Sequence, residues 1–262
     1  MDSSQLTGEK FQKLIEIMNT LRGEQGCPWD REQDEISIVN YFLEEVYEAV
    51  DAVMNDDAQA LKEELGDVLM EVVFLTKIYS EKKAFSIAEV LEGINRKMIR
   101  RHPHVFGRKV VESSGEVVEN WNKQKDKEKE RRSALDGMAR NLPSLLEAFQ
   151  IGQRVSARGF DWSQPRDVLK KVQEEIHELE EALQEGREET IQEEIGDLFF
   201  SLANVSRHLG INPEMALRLT NQKFKKRFVY VERRLKEKGR DGVRFELNEL
   251  DALWDEAKKN VG

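Results

Sequence analysis

Residues 174–197 carry Glu174, Glu175, Glu178, Glu194 and Asp197, an EExxE cluster followed at a fixed distance by ExxD. Residues 44–67 carry the same set as Glu44, Glu45, Glu48, Glu64 and Asp67, each 130 positions earlier. On a helix, side chains three and four apart share one face, and exposed like charges so placed cost about 0.2–0.5 kcal/mol per pair. Burial beside apolar neighbours such as Leu65 and Val68 makes each unpaired ion far more costly. A bound cation reverses the sign of that cost. Dense carboxylate oxygen suits a hard dication, Mg²⁺ or else Mn²⁺.

If the two helices of each repeat pack antiparallel, Glu45 and Glu48 meet Glu64 and Asp67 across the seam. Glu175 and Glu178 meet Glu194 and Asp197 in the same way, so each repeat builds a metal cage. Mg²⁺ usually keeps waters and accepts substrate phosphates instead of filling its shell with protein ligands. An open acid-lined groove therefore fits a nucleotide phosphate chain. Gly66 and Gly196 stand between the ligand candidates, and glycine inside a helix costs about 1 kcal/mol relative to alanine. Close approach of the facing helix is the expected reason for both.

Basic and aromatic residues recur downstream of each cage. Lys97 and Arg101 lie four apart in NRKMIRR, as Lys223 and Arg227 do in NQKFKKR, so each pair can present two cations to phosphates from one helical face. Trp121 with Lys125 and Trp254 with Lys258 repeat a WxxxK spacing. The indoles can stack on a base or sugar and the lysines add phosphate charge, although a packing role serves such tryptophans equally well.

The elements that must position these groups read as helices throughout. Phe11, Leu14, Ile15, Met18 and Leu21 predict a first helix over Lys10–Arg22, ended by Gly23 and Gly26, with GCPWDREQ as a loop. The stripe Val39, Phe42, Val46, Val50 and Val53 predicts a second helix from about Ile36 that stops near Asn55-Asp56-Asp57. Leu61, Leu65, Val68, Leu69, Val72 and Leu75 mark a third, and Ser86 is the expected N-cap of a fourth. HPHVFGRKVVESSG reads as irregular, and the charged run through Arg132 as solvated helix and linker. The second half opens at Leu142-Pro143, repeats the acidic helices over roughly 165–186 and 188–209, and closes with helices from Pro213 and over about 246–259. The fold class is all-α, with tandem domains over 1–125 and 142–262 joined by a charged linker, 126–141. Each domain has four or five helices, a modest core that a partner surface would complete.

Composition excludes several classes of function. The net charge is −10 and 35% of residues are charged, against a typical share of about 25%. Direct nucleic-acid binding is not expected from acids spread over helical positions. One cysteine, Cys27, permits neither an intrachain disulfide nor a cysteine-based zinc site. The start, MDSSQLTGEK, lacks the features of a secretion signal, and the longest apolar runs fall short of the roughly 20 residues that span a bilayer. No membrane association and a cytoplasmic location are expected.

GCPWDREQ, LEEVYEAVDA, EELGDVLMEVVF, RRHPHVFG, SALDGMARNLPSLLEA, RGFDW, EEIHELEEAL, EEIGDLFFSLANVSRHL and NQKFKKRF together resemble the MazG family of nucleoside triphosphate pyrophosphohydrolases, in its tandem-domain bacterial form, over nearly the whole chain. EExxE followed by ExxD is shared with the wider all-α NTP pyrophosphatase group; CPWD, RRHPHVF and the tandem layout are more specific. The resemblance implies hydrolysis of NTPs and dNTPs between the α and β phosphates, giving a nucleoside monophosphate and pyrophosphate. It implies metal ligation by Glu175, Glu178, Glu194 and Asp197, and by their equivalents Glu45, Glu48, Glu64 and Asp67. It places Lys223, Arg227, Trp254 and Lys258 at phosphate and substrate positions, and it implies a homodimer whose chains complete a helical bundle. Glu174, with Glu44 as its counterpart, is the candidate for orienting or deprotonating the attacking water. A narrower specificity, as in dUTPases or phosphoribosyl-ATP hydrolases, and a nucleotide-sensing adaptor without turnover are the alternatives.

Overall fold

The computed structural model describes residues 3–108, 110, 111, 113, 115–117, 120, 121, 133–237 and 247–261. Lys125 and most of the charged run through Arg132 lie outside them. The described residues form helices, turns and irregular connections, with no strand. The chain divides into two compact units, Met1–Glu128 and Lys129–Gly262.

In the first unit α1 spans Ser3–Leu21, α2 Pro28–Glu32, α3 Glu35–Met54, α4 Ala58–Glu81, α5 Ile87–Arg101 and α6 Pro103–Phe106. Helix α1 begins seven residues before the apolar stripe predicts. Its first turns are exposed and polar, held by i,i+4 contacts such as Thr7 Oγ1 donating to the Ser3 carbonyl at 2.9 Å, so apolar periodicity carries no sign of them. Two stretches expected to be irregular each contain a short helix with proline at its first position, where the missing N–H costs nothing. Arg22 fixes the first of these. Its guanidinium donates to the carbonyls of Asp30 and Gln33 and bridges to Glu81 at 2.8 Å.

The α3–α4 hairpin is set by local chemistry. Asp34 caps α3 with a capping box to Ser37, and Asp57 caps α4 through the amides of Gln59 and Ala60. Ser86 caps α5 as expected, in a capping box with Glu89. Met18, Ile38, Val73, Phe74 and Ile78 form the core, with Phe11, Leu14 and Ile15 of α1 packed against it. Each such side chain contributes about 1.5–3 kcal/mol on full burial. The stripe expected to face inward on α3 is only partly covered: Val39 and Val53 are exposed, as are Leu65 and Leu69 on α4.

In the second unit α7 spans Ser144–Ser156, α8 Pro165–Glu185, α9 Glu188–His208, α10 Pro213–Glu237 and α11 Leu247–Asn260. Helices α8 and α9 repeat the hairpin and α7 packs on α9. The helices approach closely at Gly152, where a Cβ would stand 2.5 Å from Asn204 Oδ1. Helices α10 and α11 build their own cluster from Val231, Leu235, Leu253 and Ala257. The α8–α9 turn passes through Gly186 at φ +72°, and the matching turn of the first unit through Asp56 at φ +55°. Glycine adopts that left-handed conformation freely; aspartate is one of the few other residues that tolerate it. Among the described residues, no helix is long and apolar enough to cross a membrane.

Candidate metal centre

Each hairpin crosses so that acids from the middle of one helix face acids from the middle of the next. One carboxylate oxygen from each of Glu45, Glu64 and Asp67 falls within 4.8 Å of the others, and the same holds for Glu175, Glu194 and Asp197. Oxygens bound to Mg²⁺ at 2.0–2.1 Å lie roughly 3–4 Å apart. The two triads therefore fit an octahedral dication with positions left for water or phosphate.

The fourth acid of each expected cage sits at the rim. Glu48 is exposed, and its charge raises the proton affinity of both Glu45 and Glu64. Burial is the larger cause of the rise at each of those two, followed by neighbouring acids. Glu178 is hydrogen-bonded to Glu175, an arrangement that needs a proton between them and pushes the Glu178 carboxyl upward, with burial adding to it. These groups are held closer than ionised carboxylates favour, a crowding that a bound cation would relieve.

Two residues at the sites escaped the sequence reading. Lys171, four residues before Glu175, bonds Glu174 at 2.8 Å and Glu175 at 2.9 Å; these contacts hold its ammonium above the usual lysine range. Glu175 is 4% exposed, so this pairing compensates a buried charge. The first unit has Tyr41 at the equivalent position. Glu71, one turn after Asp67 on α4, is also 4% exposed, and burial, with Glu45 and Asp67 adding, raises its pKa to about 7. The available signals were an i,i+4 Lys–Glu pair and a lone acid inside the apolar run DVLMEVVFL.

Glu44 is exposed at the border of the first cage, and Glu174 is exposed with Lys171 as its partner. The basic candidates lie on adjoining helices, since α5 packs on α4 and α10 on α9. Lys97 and Lys223 are exposed. Arg101 lies over the Trp121 ring at 5.0 Å, with His102 edge-on to that ring at 5.1 Å. Arg227 donates to the Val261 carbonyl at 3.4 Å, Trp254 packs against Phe224 at 4.8 Å, and Lys258 pairs with Asp255 at 2.9 Å. Both tryptophans are thus engaged by side chains of their own units. The explanation expected for Gly66 and Gly196 is corrected. A Cβ at either would meet nothing within 4 Å, so the facing helix does not require glycine there; both positions border open space beside the acids.

Known proteins match both units in sequence. The MazG nucleotide pyrophosphohydrolase domain matches residues 33–106 and again 163–231, each match containing one acid hairpin. The chain is 40% identical over 253 residues to the nucleoside triphosphate pyrophosphohydrolase/pyrophosphatase MazG of Thermotoga maritima, covering 96% of both chains. It is 39% identical over 259 residues to the nucleoside triphosphate pyrophosphohydrolase of Escherichia coli K12, covering 95% of this chain and 97% of that one.

Proposed function

Because this chain belongs to the MazG nucleotide pyrophosphohydrolase family, we propose that it hydrolyses nucleoside triphosphates between the α and β phosphates, releasing a nucleoside monophosphate and pyrophosphate. The observation that carries the reading is the twice-built carboxylate triad on crossed helices. A dication held there, Mg²⁺ or Mn²⁺, supplies Lewis acidity at the α-phosphate and lowers the pKa of a coordinated water.

The remaining work falls to side chains. Glu175, Glu194 and Asp197 supply the inner ligands, with Glu178 at the rim, and Glu45, Glu64, Asp67 and Glu48 form the equivalent set. Glu174 orients the attacking water and accepts its proton, and Glu44 has the same place in the first unit. Lys171 pairs with Glu175 at 2.9 Å and with Glu174 at 2.8 Å, holding both side chains in place. Lys223, Arg227 and Lys258 offset the charge that develops on the departing pyrophosphate, as Lys97 and Arg101 do in the first unit. Trp254 and Trp121 border the base or sugar.

The active form is a homodimer. Its support is the exposed apolar surface on the hairpins themselves, including Val39, Val53, Leu65 and Leu69 in the first unit and Ile176, Leu183 and Phe199 in the second. A single chain leaves this surface against water, where contiguous apolar area marks an interaction site.

Pyrophosphate release from a panel of NTPs and dNTPs, with and without Mg²⁺, tests the function. Release from several bases that stops on chelation is the expected result. Release from one base only points to a narrow-specificity enzyme, and Mg²⁺-dependent nucleotide binding without product points to a sensor. Sedimentation of the purified chain tests the dimer, which a monomeric active species would exclude.

A further inference from the structure

The two units differ in what stands one turn before the acids. In the second unit that position holds Lys171, whose ammonium reaches Glu175 at 2.9 Å. In the first it holds Tyr41, four residues before Glu45 and so on the same helical face. Tyr41 offers the acids no cation, but it brings a ring, and a second ring meets it. Trp29 of α2 lies with its centroid 6.0 Å from that of Tyr41, tilted by 50°. Both stay open to solvent, Trp29 53% and Tyr41 37% exposed, although covering such rings is strongly favourable. Their place is nevertheless fixed: Pro28 starts α2, and the Arg22 guanidinium donates to the carbonyls of Asp30 and Gln33 just beyond Trp29. Trp121 of the same unit is already engaged by Arg101 over its ring and His102 at its edge. The second unit keeps a tryptophan in RGFDW, Trp162, but Lys171 stands where the matching ring would be.

We propose that Trp29 and Tyr41 form a nucleobase platform beside the first unit's acids, so that this unit holds a nucleotide by its base as well as by its phosphates. The proposal rests on the reading of the triads as sites for a dication and a triphosphate. Two exposed rings held by different helices present π-faces to a flat ligand, and stacking on them tolerates any base because every base has such a face. Phosphates have no such face; they are drawn to the acids through the dication. The first unit therefore favours nucleotides over inorganic polyphosphate, and that preference depends on Tyr41 and Trp29.

The test uses the full chain carrying Glu194→Gln and Asp197→Asn, which disables the second cage. Calorimetry in Mg²⁺ compares binding of α,β-methylene-ATP, which resists cleavage at the scissile bond, with binding of inorganic triphosphate. The same titrations follow on versions that also carry Tyr41→Leu, Trp29→Leu or Tyr41→Phe, with far-UV circular dichroism to verify the fold. Either leucine variant is expected to weaken the nucleotide about fivefold or more and to leave inorganic triphosphate within about twofold of the parent; Tyr41→Phe, which keeps the ring, is expected to leave both unchanged. Nucleotide affinity within about twofold of the parent in both leucine variants overturns the proposal. Equal weakening of both ligands overturns it too, because the rings then act on the acids and not on a base. A leucine variant that sediments as a monomer where the parent is a dimer assigns the rings to an interface between copies and likewise overturns it. A parent that binds neither ligand removes the first site altogether, and pyrophosphate release by the chain with its second cage intact then shows whether the functional reading stands.

Discussion

The first unit surrounds Glu45, Glu64 and Asp67 with a further buried acid, Glu71, whereas the second surrounds Glu175, Glu194 and Asp197 with a cation, Lys171. Both units carry the acids on a helical hairpin, and the ligand spacing is the same. What differs is how the crowded charge is relieved without a metal. In the second unit the Lys171 ammonium on the preceding turn pairs with the buried Glu175 at 2.9 Å. In the first, burial and the neighbouring acids Glu45 and Asp67 raise the Glu71 pKa to about 7. Duplication preserved the geometry of a site while its electrostatics diverged, so ligand spacing alone does not make the two units equivalent.

The largest expected effect separates the units by activity. Glu175→Gln is expected to lower pyrophosphate release about 100-fold or more, because it would remove the buried member of the proposed second metal site. Glu45→Gln lowers it by a clearly smaller factor. Equal losses from the two variants, measured on the same triphosphate at saturating Mg²⁺, break the asymmetry.

Removing Lys171 tests its part in the second site. Lys171→Met strands the Glu175 charge and is expected to lower metal-free stability by about 1–3 kcal/mol, a deficit that saturating Mg²⁺ largely restores. Urea unfolding with and without Mg²⁺ reads both quantities. A deficit that Mg²⁺ leaves untouched means that Lys171 serves packing and not charge.

The pH dependence of stability sharpens the comparison from the other side. The folded pKa of Glu71, about 7, lies above its ordinary value of 4.5. Its favourable contribution is therefore complete below about pH 4.5 and is lost as pH rises through 7. Metal-free protein is expected to melt at lower temperature as pH climbs through that window, and Glu71→Gln to flatten the slope. Glu175 substitutions leave this slope in place, so calorimetry across the window distinguishes the units.

The smallest effect concerns the turns. Gly186→Ala places a Cβ at φ +72° and is expected to cost about 1 kcal/mol. Asp56→Ala removes a residue that tolerates the same conformation and is expected to cost less. Chemical denaturation resolves the two.

Much of this was legible in the sequence because it is written at helical spacing. Ser86 as a cap, the two acid hairpins and the helix from Pro213 follow from periodicity and capping chemistry, which are local. The first turns of α1 and the short helices at Pro28 and Pro103 were not, because polar i,i+4 contacts and the reach of Arg22 leave no apolar pattern. The role given to Gly66 and Gly196 failed for a related reason: a missing side chain marks room, and sequence does not say whether a helix or open space fills it.

The sequence by itself determined the all-α class, the duplication and which acids stand in register, since each depends only on residue type and spacing along a helix. Tertiary structure alone decided that Glu71 is enclosed while Glu48 reaches solvent, and that Glu175, the i,i+4 partner of Lys171, is buried. Whether a carboxylate is paired, protonated or left wanting a cation depends on burial and on neighbours from another helix, and those are fixed only when the two helices cross.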